Sequence, residues 1–345
     1  MKILLIGGTG TISSEITNLL AHTDHELYLL NRGSKPKKVP EGVQQIICDI
    51  NDEALAQQVL STYRFDVVVD FIAFEMDQVI RDVRIFQEKT KQYVFISSAS
   101  AYQKPIVDPY ITEGTSLSNP YWQYSRNKIA CENYLMQQYR DVAFPVTIVR
   151  PSHTYNTPSI PLALHGGNGA WSTIKRMMEG KPVIIPGDGT SLWTMTHSKD
   201  FAKGFVGLLG NAHAIGQCVH ITNEEHLTWN QVYQILATKL DVTLNPLYVP
   251  SDFLAHAGKT YGYDFEGALL GDKANTVIFD NSKIKALVPG FVAEIRYDQG
   301  VEWSLREILS NKELQVEDPK FDEFCDKVAE VFAVAREAFH STNPS

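Results

Sequence analysis

The sequence is poor in cysteine and lacks the marks of a secreted or membrane-embedded chain. Its four cysteines lie far apart among 345 residues and form no CxxC pair: Cys48, Cys131, Cys218 and Cys325. This spacing argues against a disulfide framework or a cysteine metal site and predicts free thiols in a reducing compartment. No run of about 18 apolar residues occurs, and the start shows no signal-peptide pattern. We therefore expect a cytoplasmic protein without a membrane span.

Positive charge is also scarce. Lysine and arginine total 31 against 40 aspartate and glutamate residues, which gives a formal net charge of −9. A surface that follows a nucleic-acid backbone needs the opposite balance, so we expect no nucleic-acid partner. The ten histidines are scattered, and neither His22 with His25 nor His153 with His165 has metal-ligand spacing beside an acid. No metal site is predicted.

The most informative stretch is the beginning of the chain, MKILLIGGTGTIS. A short apolar segment is followed by Gly7, Gly8 and Gly10 and then by a helical sequence, which predicts a strand, a glycine turn and a helix. Such a turn offers backbone N–H groups and a helix N-terminus to an anion, in a βα unit usually a dinucleotide pyrophosphate. Glycine suits this turn because it adopts positive φ and has no Cβ to keep a phosphate away.

Strands and helices alternate through the first 150 residues. Apolar segments that predict strands follow the opening strand, at residues 25–30, 43–48, 65–72, 93–96 and 146–149. This alternation is typical of a parallel α/β sheet wound on both faces, whose ligands bind beyond the carboxyl ends of the strands.

The regular alternation ends after about residue 150. We expect residues 1–155 to form the dinucleotide-binding core, joined by a strand and helix from about 192–222. Residues 156–191 and 223–345 are expected to form mainly a smaller, substrate-binding lobe and C-terminal helices, built from insertions between core elements.

Two groups of hydroxyl and amine side chains suggest chemistry. Tyr124 and Lys128 are four residues apart in a predicted helix, so they share a face, and a nearby ammonium lowers the pKa of a phenol toward the working range of a base. Ser97, Ser98 and Ser100 follow a predicted strand, where a hydroxyl can hold a substrate oxygen. Taken singly, each group also fits a plainer explanation: a solvated helix face for the first, and a turn that caps its own backbone for the second.

In combination, these features resemble the extended branch of the short-chain dehydrogenase/reductase superfamily, which includes UDP-galactose 4-epimerase and other nucleotide-sugar epimerases and dehydratases. The resemblance covers roughly residues 1–240 and is weak beyond them. It implies a Rossmann fold. The segments that carry it are GGTGTIS, FISSASAY, YSRNK, VRPSHTY and GDGTSLWTMTHSKDFAKG.

The resemblance implies a catalytic role for three residues. Tyr124 would be the general acid/base, and Lys128 would lower its pKa and bind the nicotinamide ribose. Ser98, four residues before Tyr102, would polarise the reacting oxygen, with Ser100 as the alternative.

The resemblance also implies a set of cofactor contacts. The turn residues would hold the pyrophosphate, an acid and its neighbour would line the adenine, and a strand-end segment would flank the nicotinamide. In that order, the residues are Gly7, Gly10, Thr11 and Ile12, then Asp49 and Ile50, then Pro151 to His153.

The second strand ends in Asn31 and Arg32, where NAD-preferring relatives carry an acid for the ribose hydroxyls. Asn31 removes a carboxylate that would repel a 2′-phosphate, and Arg32 adds a planar cation that suits one. We therefore favour NADP over NAD. Alternatively, Arg32 stacks on adenine and either cofactor binds. Lys35, Lys37 and Lys38 are either a solvated loop or further positive charge near the 2′-phosphate.

Three other positions depart from the family pattern. Ser13 replaces the third glycine of the turn, and we expect its small side chain to be tolerated with slightly looser packing. Trp193 stands where the epimerases have an arginine for a substrate phosphate, which argues against a UDP-sugar. Gln103 replaces the glycine after the strand-end tyrosine, a mild departure.

The sequence thus predicts an NAD(P)-dependent epimerase or reductase that acts on a hydroxyl or carbonyl of a sugar or nucleotide sugar. Ala99 and Ser100 stand where dehydratases often carry an additional acid pair, which argues against dehydration. The alternative is a catalytically degenerate member that binds RNA or a regulator, since the chain also resembles the chloroplast stem-loop RNA-binding branch. The net charge and the intact Tyr124–Lys128 pair argue against this alternative. The resemblance further implies a homodimer.

Overall fold

The computed structural model describes residues 1–33 and 39–341. The strands in this part of the chain are, in order, β1 (Lys2–Ile6), β2 (Glu26–Asn31), β3 (Gln44–Ile47), β4 (Phe65–Asp70), β5 (Thr90–Ile96), β6 (Tyr110–Ile111), β7 (Val146–Pro151), β8 (His153–Tyr155), β9 (Val183–Pro186), β10 (Leu192–Trp193), β11 (Met195–His197), β12 (Cys218–Ile221), β13 (Leu227–Thr228), β14 (Pro246–Val249) and β15 (Ile278–Phe279).

The α-helices of the same residues are α1 (Ser13–Ala21), α2 (Glu53–Val59), α3 (Met76–Phe86), α4 (Gln123–Val142), α5 (Trp171–Met178), α6 (Ser198–Leu208), α7 (Trp229–Lys239), α8 (Ser251–Thr260), α9 (Ser282–Leu287), α10 (Tyr297–Ser310) and α11 (Pro319–Ser341). A π-helical segment spans Glu266–Lys273. None of the helices described is both long and apolar enough to cross a bilayer.

A seven-stranded sheet organises the first compact unit. Its strand order is β12-β7-β5-β4-β1-β2-β3, and every neighbouring pair is parallel. The sequence order of the strands reverses between β1 and β4, and α/β sheets bind ligands at such a switch point. The predicted Rossmann architecture is confirmed, and β12 lies in the main sheet beside β7.

Apolar side chains cover both faces of this sheet. In β1, Leu4 and Ile6 belong to the core on one face, whereas Ile3 and Leu5 belong to the core on the other, and all four are fully buried. Successive side chains of a strand point to opposite faces, so a strand buried on both sides must be apolar throughout. This is why the opening segment contains no polar residue after Lys2.

The first unit comprises residues 1–156, 194–224 and 278–295. The last of these segments differs from the sequence-based division, which placed it in the smaller lobe. The reason is a set of long-range contacts: β15 pairs with β6, and Ile284 and Phe291 pack into the sheet core beside α6. These contacts could not be predicted from the local sequence pattern of residues 278–295.

The second unit comprises residues 157–193, 225–277 and the chain from 296 onward. It contains the parallel pair β9–β14 and the antiparallel pair β10–β13. An aromatic cluster that includes Phe265, Phe321 and Phe324 joins α11 to the π-helical segment. Gly300 lies inside α10 and does not interrupt it.

Candidate active site

The turn after β1 requires glycine at position 7. Gly7 has a φ of +83°, and a Cβ there would lie 2.4 Å from Cγ2 of Ile72, which follows β4. Gly10 differs, because a Cβ there would meet only the Oγ of Ser13, at 3.4 Å. Position 7 is therefore closed by the protein itself, whereas position 10 faces space that a phosphate can approach.

Ser13 fastens this turn. Its buried hydroxyl donates to the carbonyl oxygen of Gly7 at 2.9 Å and accepts from the backbone N–H of Gly10 at 2.8 Å. Nearby, the hydroxyl of Thr17 donates to the carbonyl of Gly8 at 2.7 Å. The expectation that Ser13 is a small residue with looser packing misses its hydrogen bonds, which a glycine at this position cannot make.

Two adjoining cavities lie beyond the carboxyl ends of β1, β4 and β5. The first, of about 500 Å³, is lined by Gly7 and Gly10 and also by Asn31, Arg32, Asp49 and Ile50. The second has a volume of about 310 Å³ and holds the three predicted catalytic residues as well as further predicted cofactor contacts: Ser98, Tyr124, Lys128, Gly7, Gly10, Thr11, Ile12 and Pro151.

Residues distant in sequence are therefore brought together as the motifs imply. Among the predicted site residues, His153 is the exception. It lies in β8, paired with Met195 of β11, and it does not belong to the described lining of either cavity.

Lys128 is the most constrained group of the second cavity. Its buried ammonium donates to the carbonyl oxygens of Ala73 and Ile96, both at 2.7 Å. It also lies 4.5 Å from the ring centre of Phe74 and 4.8 Å from that of Phe95. Burial lowers its pKa to about 8, from 10.5. Two of its three N–H groups are thus occupied by the backbone, which leaves one for a ligand.

Tyr124 lies half-buried one helical turn before this ammonium. The Nζ of Lys128 is 5.8 Å from the centre of its ring. The ring also packs against Trp122 and Phe74, with centroid separations of 5.1 and 6.3 Å. The phenol of Tyr124 therefore lies beside a positive charge in a partly apolar setting.

The two candidate serines have different positions. Ser98 is partly exposed and lines the second cavity, whereas Ser100 is buried behind it. Their hydroxyls are 2.9 Å apart, and the hydroxyl of Ser125 donates to Ser100 at 2.7 Å. Of the two, Ser98 is therefore the one that a substrate can reach.

Asp70 was not predicted as a site residue, yet it shapes the wall of both cavities. Its Oδ1 accepts hydrogen bonds from the N–H groups of Ile72 and Ala73 at 2.5 and 2.9 Å. Full burial and the neighbouring Asp82 raise its pKa well above the usual range, against the attraction of Arg81 at 3.6 Å. By holding this turn, Asp70 places the carbonyl of Ala73 that binds Lys128. The sequence offered one indication of this role: Asp70 is the last residue of a buried strand, and in the sheet that strand lies beside β1, which precedes the glycine turn.

A buried ion pair underlies the strand-end serines. Arg150 of β7 and Glu132 of α4 form a two-pronged pair at 2.5 to 3.2 Å. The hydroxyl of Ser97 donates to the same carboxylate at 2.5 Å. The Ser97 hydroxyl is thus engaged in the interior, and the ion pair links α4, the helix that carries Tyr124 and Lys128, to the sheet.

The first cavity bears on cofactor choice. Asn31 ends β2 and Arg32 is exposed beside it, so the end of this strand offers an amide and a cation rather than a carboxylate. Asp49 lies across the cavity and accepts from the backbone and side-chain N–H groups of Asn51 at 3.0 and 3.1 Å. The hypothesis about Lys35, Lys37 and Lys38 concerns positions outside the described residues.

Trp193, the residue in place of the epimerase arginine, is buried in the second unit. Its indole stacks on that of Trp229 with ring centres 6.2 Å apart. It supplies packing and no positive charge. Within residues 1–33 and 39–341, no cluster of three potential metal ligands occurs.

The chain is similar to a protein family and to several known proteins. Residues 3–221 match the model of the NAD dependent epimerase/dehydratase family. The chain is 23% identical over 255 residues to a 2′-dehydrokanamycin reductase from Streptomyces kanamyceticus, covering 74% of this chain and 71% of that protein. It is 28% identical over 242 residues to the chloroplast stem-loop binding protein of 41 kDa b from Arabidopsis thaliana, covering 66% and 60% respectively.

The fold has close counterparts among solved structures. One is a UDP-glucuronic acid 4-epimerase from Bacillus cereus in complex with NAD, with a TM-score of 0.69 and 19% identity. The match covers 90% of this chain and 98% of that one. At this identity, the likeness concerns the fold.

Proposed function

The chain belongs to the NAD dependent epimerase/dehydratase family, and we propose that it oxidises or reduces a hydroxyl or carbonyl of a sugar or nucleotide sugar. It would do so as an epimerase or as a reductase. As a member of this family, it is an NAD(P)-dependent enzyme of the short-chain dehydrogenase/reductase type. The observation that carries the proposal is the second cavity, where Ser98, Tyr124 and Lys128 adjoin the glycine turn.

Each of the three residues has a distinct role in this proposal. Tyr124 takes the proton of a substrate hydroxyl during oxidation and returns it to the carbonyl oxygen during reduction. The ammonium of Lys128 stabilises the phenolate and uses its remaining N–H for the ribose of the cofactor. Ser98 donates a hydrogen bond to the same substrate oxygen and fixes it for the proton transfer.

The residues of the two cavities suit a dinucleotide. The open space at Gly10, the N-terminus of α1 and the buried ammonium of Lys128 are the donors that a pyrophosphate and a ribose require. When bound, the nicotinamide supplies the hydride acceptor or donor. We propose that NADP is preferred to NAD, on the basis of Asn31 and Arg32.

The substrate class follows from the relatives rather than from a motif. The reductase relative is named for 2′-dehydrokanamycin, and the structural counterpart is named for UDP-glucuronic acid. Trp193 gives no cation for a substrate phosphate, which favours a sugar without a diphosphate at that point.

The test is an assay of the purified protein with both substrate types. NADPH or NADH oxidation is followed with 2′-dehydrokanamycin, and C4 epimerisation is followed by NMR with UDP-glucuronic acid and NAD. Tyr124→Phe should lower kcat at least about 100-fold, since general acid–base catalysis contributes that much. Tyr139→Phe, on the same helix, is the control. Full turnover by Tyr124→Phe would refute the mechanism.

The similarity to the stem-loop binding protein supports a second candidate, a member that binds RNA or a regulator and catalyses nothing. The net charge of −9 makes this candidate weaker. A salt-dependent gel shift with a stem-loop RNA, combined with no change in nicotinamide fluorescence on addition of the protein, would favour it over the enzyme.

A further inference from the structure

Three serine hydroxyls form a line from the interior of the first unit to the second cavity. Ser125 in α4 is fully buried and its hydroxyl donates to Ser100 at 2.7 Å. The hydroxyl of Ser100, also buried, is 2.9 Å from that of Ser98. Ser98 alone of the three lines the cavity. The line therefore ends where a substrate oxygen would bind.

One arrangement of the hydroxyl protons leaves Ser98 as a donor to the cavity. A hydroxyl has one proton and two lone pairs. Ser125 gives its proton to Ser100, and in this arrangement Ser100 gives its own proton to Ser98. Ser98 also accepts from the backbone N–H of Ser100, at 3.2 Å. With both lone pairs of Ser98 then engaged, its proton would point into the cavity.

The arrangement exceeds what the local turn needs. Ser98 precedes a short 3₁₀ turn, Ala99–Ala101, and caps it by accepting from the N–H of Ser100. That cap uses only the hydroxyl of Ser98. The hydroxyls of Ser100 and Ser125 add nothing to it, although their mutual hydrogen bond joins this turn to the helix that carries Tyr124.

We propose that Ser100 and Ser125 are positioning residues that orient the Ser98 hydroxyl as a hydrogen-bond donor to the reacting oxygen of the substrate. The inference rests on the proposed function of this site. In this proposal the three serines act in the chemical step, because the Ser98 hydroxyl is oriented before the substrate binds and needs no rearrangement during the reaction. The affinities for substrate and cofactor should depend little on Ser100 and Ser125.

The kinetic test uses whichever of 2′-dehydrokanamycin and UDP-glucuronic acid the wild type converts. Ser100→Ala should lower kcat about 5- to 10-fold and Ser125→Ala about 2- to 5-fold, the sizes expected for single hydrogen bonds, with KM changed less than about 2-fold. Ser125→Thr, which keeps the hydroxyl, should restore kcat. Ser61→Ala, an exposed serine in the same unit, is the control.

A double-mutant cycle separates positioning from a structural role. In a Ser98→Ala background, Ser100→Ala should cost no further kcat, because its effect passes through Ser98. An equal loss in both backgrounds, or a loss confined to KM, would overturn the proposal. Near-UV circular dichroism and NADPH titration identify any variant that is misfolded.

A second measurement holds even if the wild type converts neither substrate, which would count against the proposed function instead. Crystal structures of the wild type, Ser100→Ala and Ser61→Ala, each with NADPH, report the Ser98 rotamer. We expect a single rotamer in the wild type and in Ser61→Ala, and more than one in Ser100→Ala. An unchanged single rotamer in Ser100→Ala would overturn the proposal.

Discussion

At the scale of single residues, Asn31 and Arg32 have the clearest consequence. Asn31 is the last residue of β2 and Arg32 follows it. Both line the first cavity, where a carboxylate would repel a 2′-phosphate. The sequence alone suggested this specificity, and the structure adds that both residues border the cavity. The preference for NADP stays a prediction. It depends on the absence of a carboxylate at Asn31 and on the positive charge of Arg32.

We expect Arg32→Ala to weaken NADPH binding about 10-fold and to change NADH binding less than about 2-fold, because only the former has a 2′-phosphate for the guanidinium. Asn31→Asp should weaken NADPH binding by at least as much, through repulsion. Fluorescence titration with both cofactors measures this, with Arg64→Ala as the control. Equal losses for both cofactors would support adenine stacking by Arg32.

At the scale of secondary-structure elements, Lys128 shows how neighbours set the chemistry of a side chain. Helix α4 supplies the lysine, while the carbonyls that hold it follow β4 and end β5. This enclosure removes water from the ammonium and lowers its pKa to about 8. Sequence spacing predicted the pair with Tyr124 but not the strength of this effect.

A pH dependence follows from that pKa. The ammonium keeps its proton below about pH 8 and loses it above, so NADPH affinity should fall as the pH rises from 8 to 10. An exposed lysine, with its pKa near 10.4, would stay charged over most of that range. Fluorescence titration across pH checks this. Lys128→Met should bind more weakly at pH 7 and show no such decline, and a retained decline would assign it to another group.

The Arg150–Glu132 pair joins β7 to α4 with both side chains nearly inaccessible. Removing one partner leaves a buried charge without compensation, so Glu132→Gln should lower the free energy of unfolding by about 3–5 kcal/mol. Urea denaturation measures this. Glu330→Gln, which breaks an exposed pair with Lys327, should cost less than about 1 kcal/mol. Similar losses for the two variants would contradict the argument.

At the scale of the whole molecule, association is the open property. The family resemblance implies a homodimer in which the helix with Tyr124 and Lys128 pairs with its neighbours in a second copy. We expect light scattering after size exclusion to give twice the monomer mass at micromolar concentration. Arg126→Glu, on the exposed face of α4, should shift the protein toward monomer, whereas Arg306→Glu on α10 should not. A monomeric wild type would exclude the dimer.

The strand pattern, the glycine turn and the residue types of the site could be predicted from the sequence alone. These depend on local properties: strands buried on both faces must be apolar, position 7 must accept a positive φ, and a helix brings Tyr124 and Lys128 to one face. The π-helical segment Glu266–Lys273 was not predicted, because it is stabilised by packing against aromatic residues distant in sequence.

Three features became apparent only in the folded protein: which hydroxyl faces the cavity, how Ser13 stabilises the turn and why the pKa of Lys128 falls. The fold also assigns residues 278–295 to the first unit. These properties arise from contacts between groups far apart in sequence, such as Lys128 with Ala73 and Ser125 with Ser100. Burial and hydrogen-bond direction are set by those contacts, and a linear pattern of residue types does not contain them.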